Sequence, residues 1–101
     1  MTSYRVLFAE TFVEDITGIV QFICEKTGSK ESAKAFYEAV FEKIKSRAVS
    51  ADSYETYVPY QGAPDYYRLY YKSFIIFYVL DGDCMDVRRI MWAGSDIPNR
   101  I

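Results

Sequence analysis

Five basic side chains fall within the last third of the chain and could form a phosphate-binding patch. They are Arg68, Lys72, Arg88, Arg89 and Arg100, and guanidinium and ammonium groups are common protein ligands of phosphate. The chain as a whole carries 12 basic and 14 acidic residues, a formal net charge of −2. Because phosphate neutralisation supplies most of the affinity of a general nucleic-acid binder, this balance argues against direct nucleic-acid binding. The net charge does not exclude a local basic patch.

The chain contains no histidine, which excludes several kinds of active site. Ser-His-Asp and Cys-His nucleophilic sites need the imidazole, and so do His-ligated zinc and non-haem iron sites. Cys24 and Cys84 are too few for a four-cysteine metal site, and we expect both to be buried apolar residues rather than a disulfide. We therefore expect no metal and no cofactor. Glu14 and Asp15 are expected on the exposed face of a helix, where solvated carboxylates need no partner.

The ten tyrosines favour a surface that binds another protein. Tyr54, Tyr57 and Tyr60 lie in one non-periodic stretch, and Tyr70 follows it. Stacking on nucleic-acid bases would require cationic residues among these aromatics, and the stretch has none. Tyrosine combines a large apolar area with a polar tip, which suits a protein interface. Trp92 fits either an interface anchor or a core residue that closes the sheet against the helices.

Two amphipathic helices are predicted after a short first strand at Tyr4–Phe8. Apolar residues recur at helical spacing from Thr11 onward. Thr11 and Glu14 match a capping box, and Gly28 is placed to end this helix. Ser29 is expected to begin the second helix. The two form an antiparallel helical hairpin whose apolar faces need a sheet to cover them.

Three strand-like segments follow a loop predicted from Ser50 to Pro64. They span Tyr66–Tyr71, Phe74–Leu80 and Cys84–Trp92. The Asp-Gly pair at positions 81 and 82 predicts a type I′ hairpin turn, so a three-stranded antiparallel meander is expected. Its middle segment is apolar at every position, which is typical of a strand covered on both faces.

The last of these strands contains two consecutive arginines. Strict alternation gives one face the residues Met85, Val87, Arg89 and Met91, and the opposite face Asp86, Arg88, Ile90 and Trp92. One arginine would then share a face with apolar side chains, which requires a buried partner or a functional surface. Arg68 and Arg89 therefore either belong to a binding surface or form ion pairs at the end of the sheet. The candidate ion-pair partners are Asp65, Asp86 and Asp96.

The length of 101 residues, 50% of them hydrophobic, suits one modest core and therefore one domain over residues 1–101. The expected fold class is α+β, with an N-terminal strand, an antiparallel helical hairpin and a three-stranded antiparallel meander in one sheet. The sequence shows neither a basic-then-apolar leader nor an apolar run near the roughly 18 residues of a membrane helix. We therefore expect a cytoplasmic protein.

This order of elements resembles that of the RelE/ParE toxins of type II toxin–antitoxin systems. The opening YRVLFAETFVEDI, residues 4–16, is similar to the first strand and helix start of that family. The segments YRL at 67–69, FIIFYV at 74–79, VRRIMW at 87–92 and DI at 96–97 resemble ParE-like C-termini. The resemblance covers nearly the whole chain and implies a toxin that a cognate antitoxin neutralises.

The RelE branch of this superfamily implies ribosome-dependent cleavage of mRNA by basic side chains on the sheet. In this chain the candidates for that endoribonuclease role are Arg68, Lys72, Arg88 and Arg89. The sequence departs from the branch at Tyr70 and Ile75, where basic residues are often found. Gly94-Ser95 also replaces the usual basic pair. These departures favour the other branch.

The ParE branch implies a binding toxin associated with plasmid stabilization and with the poisoning of DNA gyrase. Such a target requires an interaction surface and no catalytic pair. The resemblance implies a cognate antitoxin and DNA gyrase as partners, within a homodimer or a toxin–antitoxin heterotetramer. The candidate partner-binding residues are Arg68, Tyr70, Arg89, Trp92, Tyr57 and Tyr60. A degenerate module that binds the antitoxin without being toxic is the third alternative.

Overall fold

The computed structural model describes residues 3–101 and folds them into one mixed sheet with two long helices on one face. The elements are β1 Arg5–Phe8, α1 Glu10–Thr27, α2 Lys30–Arg47, β2 Thr56–Tyr57, β3 Tyr66–Tyr71, β4 Phe74–Asp81, β5 Cys84–Trp92 and α3 Ile97–Arg100. The strand order is β1-β5-β4-β3-β2. β1 runs parallel to β5, and the other neighbours are antiparallel. The predicted α+β fold is confirmed, and β2 adds a short strand inside the stretch predicted as loop.

The helix ends follow the sequence signals at two of the three positions where a signal was predicted. Gly28 ends α1 in the left-handed region with φ 65°, and its N–H donates to the carbonyl of Cys24 at 2.8 Å. The Ser29 hydroxyl caps α2 by accepting the N–H of Ser32 at 3.0 Å. The capping box predicted at Thr11 is wrong, because α1 begins at Glu10. No helix within residues 3–101 is long and apolar enough to cross a membrane.

The main core lies between the helices and the first face of the sheet. Its helical side consists of Phe12, Ile16, Phe36, Val40 and Ile44. The strands contribute Leu69, Ile76, Tyr78, Met85, Val87 and Ile90. Burial of these apolar side chains is the dominant stabilising term in such a domain. The first face therefore holds most of the stability of the fold.

A second, smaller core lies on the opposite face of the sheet. It contains Tyr66, Ile75, Phe77, Val79, Met91 and Ile97, with Tyr57 and Ile101 packed against it. β4 supplies residues to both cores and lies at the centre of the strand order, so the prediction of a middle strand covered on both faces is confirmed. α3 covers only part of this second face, because it spans four residues.

A β-bulge in β5 changes which side chains share a face. Phe77 lies opposite Arg89, whereas its neighbour Tyr78 lies opposite Val87, so Arg88 is the extra residue. A bulge of this kind interrupts the alternation of side chains. Val87 and Ile90 consequently both enter the main core. The strict alternation predicted for this strand is therefore wrong after Val87.

The hairpin between β4 and β5 is one residue displaced from its predicted position. Asp81 pairs with Cys84, so the two loop residues are Gly82 and Asp83. Gly82 has a φ of 60°, and among residues 3–101 the only non-glycine residue with positive φ is Lys72. A single positive φ at the first loop position fits a type II′ turn and not the predicted type I′ turn.

Candidate functional site

An aromatic and basic surface lies on the second face of the sheet beside the smaller core. Arg68 of β3 lies opposite Phe77 of β4, and its guanidinium lies 4.5 Å from the centre of the Tyr57 ring. Tyr70 lies two residues further along the same face and is 55% exposed. A guanidinium stacked on a tyrosine ring is held in place while its N–H groups stay available. We call Tyr57, Arg68 and Tyr70 the open face.

The Arg88 side chain is paired with a carboxylate of its own strand. Its Nε donates to Oδ2 of Asp86 at 2.7 Å. The hydrogen bond that Arg88 donates to Asp86 raises the pKa of Arg88, and burial offsets part of this rise. Asp86 was predicted as a possible ion-pair partner of Arg68 or Arg89. In the structure it pairs with Arg88 instead. The pair leaves little net positive charge at this position.

Arg89 connects three parts of the fold. It makes two hydrogen bonds to Asp15 of α1, from Nε to Oδ2 at 2.7 Å and from Nη2 to Oδ1 at 3.1 Å. Its Nη1 donates to the carbonyl of Arg100 in α3. The predicted ion-pair partners Asp65, Asp86 and Asp96 are therefore wrong for Arg89. A bidentate pair of this kind orients both groups and neutralises their charges.

Asp15 is a partly buried structural residue and not the solvated carboxylate that its helical position predicted. Its side chain is 18% exposed, compared with 20% for Arg89. Besides binding Arg89, Oδ2 accepts the backbone N–H of Ile90 at 3.1 Å. Hydrogen bonding of Arg89 to Asp15 is the main cause of the raised pKa of Arg89. Asp15 thereby attaches α1 to β5 immediately after the bulge.

Lys72 lies away from the other candidate basic residues. It occupies the tip of the β3–β4 hairpin with φ 52°, where its Nζ lies 5.6 Å from the Tyr71 ring. Four residues separate it from Arg68, which corresponds to roughly 13 Å along an extended chain. The four residues predicted as nuclease candidates therefore do not converge on one position. Arg88 and Arg89 are also paired with carboxylates.

An apolar groove of about 610 Å³ separates α1 from the end of β5. Trp92 and Phe22 stand at this groove with 58% and 59% of their surfaces exposed. The other apolar residues that line the groove are Gly18, Ile19, Phe74, Ile90 and Met91, and its polar or charged lining consists of Glu14, Asp15, Arg89, Ser95 and Arg100. We call Trp92, Phe22, Ile19, Phe74 and Gly18 the Trp92 groove. The exposure of Trp92 contradicts its interpretation as a core residue. Of the two predicted roles, that of an interface anchor remains.

Gly94 permits the position of the Trp92 ring. A Cβ added at Gly94 would lie 2.4 Å from Cη2 of Trp92. Any side chain at this position would collide with the indole, so Gly94 is required for the ring to lie over the chain. The glycine that replaces a basic residue of the family pattern thus has a packing role here.

Phe22 in the Trp92 groove and Arg47 behind β3 give no signal in the sequence. Phe22 is off the apolar stripe of α1, and an exposed aromatic on a helix gives no periodic signal. Arg47 at the end of α2 donates to the carbonyl of Arg68 at 3.2 Å and to the hydroxyl of Tyr78 at 3.0 Å. Its guanidinium also lies 3.4 Å from the centre of the Tyr54 ring. No local pattern in the sequence predicts contacts between residues this far apart.

The remaining predicted residues lie outside these surfaces. Tyr60 is exposed in the loop before β3, and its backbone carbonyl accepts the N–H of Ala63 at 3.0 Å. None of the contacts recorded for residues 3–101 joins the Tyr60 side chain to the open face. Cys24 and Cys84 are partly exposed, so the expectation that both are buried is wrong.

Comparison with known proteins identifies relatives of this arrangement. The family model described as ParE toxin of type II toxin–antitoxin system, parDE, matches residues 6–96. The crystal structure of the RelB–RelE antitoxin–toxin complex from Methanococcus jannaschii contains a chain of similar fold, with a TM-score of 0.51. The two chains are 21% identical, and the match covers 94% of this chain and 99% of that one. No curated protein sequence matches.

Proposed function

Because the chain belongs to the ParE toxin family of type II toxin–antitoxin systems, we propose that it acts as a toxin by binding a protein target. DNA gyrase is the target that the family resemblance suggests. The alternative activity in the superfamily is cleavage of mRNA on the ribosome. The two differ in what they require of the sheet: an interaction surface in the first case, and convergent basic side chains in the second.

The distribution of the basic side chains carries the proposal of a binding toxin. Arg88 and Arg89 are paired with Asp86 and Asp15, and Lys72 lies at a hairpin tip. Of the four, only Arg68 lies on the sheet face with its guanidinium stacked on a tyrosine ring and without a carboxylate partner among residues 3–101. A single arginine among tyrosines is typical of a protein-binding hot spot. It is insufficient for acid–base cleavage of a phosphodiester.

A cognate antitoxin is the second proposed partner. The similar solved structure is an antitoxin–toxin complex, which supports a partner of that kind. The Trp92 groove offers exposed aromatic side chains, and the open face offers a tyrosine–arginine pair. We propose that Trp92, Tyr57, Arg68 and Tyr70 contact partners directly, whereas Arg89 positions the wall of the groove through Asp15. Both proposed partners place the protein in the cytoplasm.

Ile75 gives specific support to a second candidate, a module that binds antitoxin without being toxic. Ile75 stands where the RelE-like pattern often has a basic residue, and it is buried in the smaller core. Gly94 stands where the family pattern has another basic residue, and the Trp92 ring lies where a side chain at position 94 would begin. Neither position therefore offers a basic side chain to a target.

Controlled expression in a bacterial host, with and without the neighbouring gene expected to encode the antitoxin, tests these candidates. DNA and protein synthesis should be followed together with growth. We expect DNA synthesis to fall first and the neighbouring gene to restore growth. An earlier fall in protein synthesis, with cleaved mRNA, would contradict the binding-toxin proposal. Normal growth, with a stable antitoxin complex, would favour the non-toxic module.

A matched pair of charge reversals connects the outcome to the open face. Arg68→Glu should abolish toxicity and inhibition of purified gyrase, because it places a carboxylate among the tyrosines of the binding surface. Lys34→Glu makes the same charge change on the exposed side of α2 and should leave both intact. Equal effects of the two substitutions would show that net charge, and not the open face, determines activity.

A further inference from the structure

Arg47 at the C-terminal end of α2 is a partly buried arginine that lies on the helix side of the sheet. It forms no ion pair with a carboxylate among residues 3–101. Its recorded partners are all uncharged: the carbonyl of Arg68, the hydroxyl of Tyr78, and the rings of Tyr54 and Tyr78. Because removing a charged group from water costs free energy, a cation held only by neutral groups is expected to have a specific role.

The contacts of Arg47 hold the segment between α2 and β2 at two points. Nη1 of Arg47 donates to the Tyr78 hydroxyl at 3.0 Å, and that hydroxyl donates to the carbonyl of Ala51 at 2.7 Å. Three residues further along the chain, the centre of the Tyr54 ring lies 3.4 Å from the Arg47 guanidinium. The first contact attaches the segment to the main core, and the second attaches it to the end of α2.

The same guanidinium binds β3 at the point where β2 stops pairing with it. The two strands pair only over residues 56–57 of β2 and residues 66–67 of β3. The next residue of β3 is Arg68, whose carbonyl accepts Nη1 of Arg47 at 3.2 Å. Two residues supply few ladder hydrogen bonds. The position of β2 therefore depends on how the preceding segment is held.

The position of β2 in turn shapes the open face. Tyr57 pairs with Tyr66, which makes it the diagonal neighbour of Arg68 on the second face of the sheet. Diagonal neighbours are within reach of aromatic and long side chains. The Tyr57 ring lies 4.5 Å from the Arg68 guanidinium and 6.1 Å from the Phe77 ring. A displaced β2 would leave Arg68 without the ring on which it stacks.

We propose that Arg47 is a positioning residue of the open face, which it orders from the opposite side of the sheet. By holding the segment before β2 and the backbone of Arg68, it places Tyr57 over the Arg68 guanidinium before a partner binds. A side chain ordered in advance loses less entropy on binding. Arg47 packs against Tyr78 of the main core and so acts through the open face without being part of it. The consequence for binding rests on the proposed function of that face, whereas the order of β2 can be measured without a partner.

Nuclear magnetic resonance of the free full-length chain tests the positioning. Arg47→Ala should increase amide hydrogen exchange in β2 by roughly tenfold or more, because hydrogen bonds and a stacking contact are lost. The side-chain protons of Arg68 should also lose the upfield shift that the Tyr57 ring causes. Lys45→Ala, at an exposed residue of the same helix end, should change neither. Unchanged exchange and unchanged Arg68 shifts in Arg47→Ala would overturn the proposal.

Tyr54→Ala distinguishes the positioning of β2 from a general loss of stability, since Arg47→Ala also removes a contact of the main core. Tyr54 is 47% exposed, so its truncation removes the stack on Arg47 and leaves the core closed. Exchange should increase in β2 and stay unchanged in β4 and β5. Tyr60→Ala is the matched control, because Tyr60 is also 47% exposed and has no recorded contact with Arg47 within residues 3–101. Equal effects of the two substitutions would contradict a specific role of the Arg47 contact.

A double-mutant cycle shows whether Arg47 acts through Arg68. The measurements are inhibition of purified gyrase and affinity for the protein encoded by the neighbouring gene, for Arg47→Ala, Arg68→Ala and the double variant. We expect Arg47→Ala to weaken binding by about three- to tenfold in the parent chain. It should have little further effect once residue 68 is alanine, because the side chain that it positions is gone.

The two ways in which this cycle can fail are distinguishable. Additive losses from Arg47→Ala and Arg68→Ala would overturn the positioning role, because independent sites add. Normal binding by Arg68→Ala, together with faster exchange of β2 in Arg47→Ala, would contradict the open face as a contact surface. That result would still support Arg47 as the residue that positions Tyr57.

Discussion

The two faces of the sheet differ in what covers them. The first face has two 18-residue helices above it, and its core contains 13 buried residues. The second has only a four-residue helix above it, and its core contains six buried residues. Because stability follows buried apolar area, the first face maintains the fold. The second face retains exposed tyrosine and arginine side chains, which are suited to binding.

Removal of β5 should have the largest effect on stability, because this strand contributes buried side chains to both cores. A chain that ends at Asp83 loses Met85, Val87 and Ile90 from the main core and leaves β1 without its neighbour. We expect it to be unfolded, without cooperative thermal melting by circular dichroism. A chain that ends at Ser95 loses only α3 and should still melt cooperatively at a lower temperature. A cooperative transition in the shorter chain would contradict this architecture.

Replacing one buried isoleucine by alanine on each face of the sheet should have the next largest effect on stability. Ile44 of α2 is 1% exposed in the main core, and Ile97 of α3 is 8% exposed in the smaller one. Ile44→Ala should lower the free energy of unfolding by about 3–4 kcal/mol, because the surrounding core cannot collapse into the cavity. Ile97→Ala should cost about 1 kcal/mol, since the short terminal helix can shift. Urea denaturation would measure both, and equal losses would refute the contrast between the faces.

Ionisation of Tyr78 should destabilise the first face at alkaline pH. Burial raises the pKa of Tyr78, and the hydrogen bond from Arg47 offsets part of the rise. A raised pKa in the folded state means that the neutral form stabilises the fold below the unfolded value of about 10, and this contribution is lost as the pH rises further. Melting temperatures measured upward from pH 9 should therefore decrease.

Tyr78→Phe is the control for this pH dependence. It removes the hydroxyl that donates to the carbonyl of Ala51 at 2.7 Å, so it should cost about 1–2 kcal/mol at neutral pH. The decrease in melting temperature above pH 9 should become smaller in this variant. An unchanged alkaline slope would show that other tyrosines cause the transition.

The sequence predicted the elements of this fold better than it predicted their side-chain contacts. Periodicity located both helices and β3, β4 and β5, because apolar spacing reflects which face each element buries. Gly28 and Ser29 marked the junction between the helices, because their preferences are local. The bulge at Arg88 was not predicted, since the extra residue is defined only by the pairing of β5 with β4. The alternation assigned after Val87 was wrong for that reason.

The candidate site was predicted in part. Arg68, Tyr57 and Tyr70 do share one surface, whereas Lys72 and Tyr60 lie elsewhere. Arg89 was correctly expected to need a partner, but that partner is Asp15 in a distant helix. Such a contact depends on how α1 crosses β5. Sequence patterns describe each element separately and do not contain that geometry.

Arg68→Glu should have the smallest effect on stability and a large effect on binding. Arg68 is partly exposed and contacts Tyr57, and it forms no ion pair with a carboxylate in the described part of the chain. We expect a loss of at most about 0.5–1 kcal/mol in the free energy of unfolding, which is the usual contribution of an exposed cation–π contact. Binding to the target or antitoxin, measured by calorimetry, should decrease by roughly 30-fold or more if Arg68 is a hot spot. A variant that binds normally would exclude the open face as the contact surface, whereas a strongly destabilised variant would show that the second face also maintains the fold.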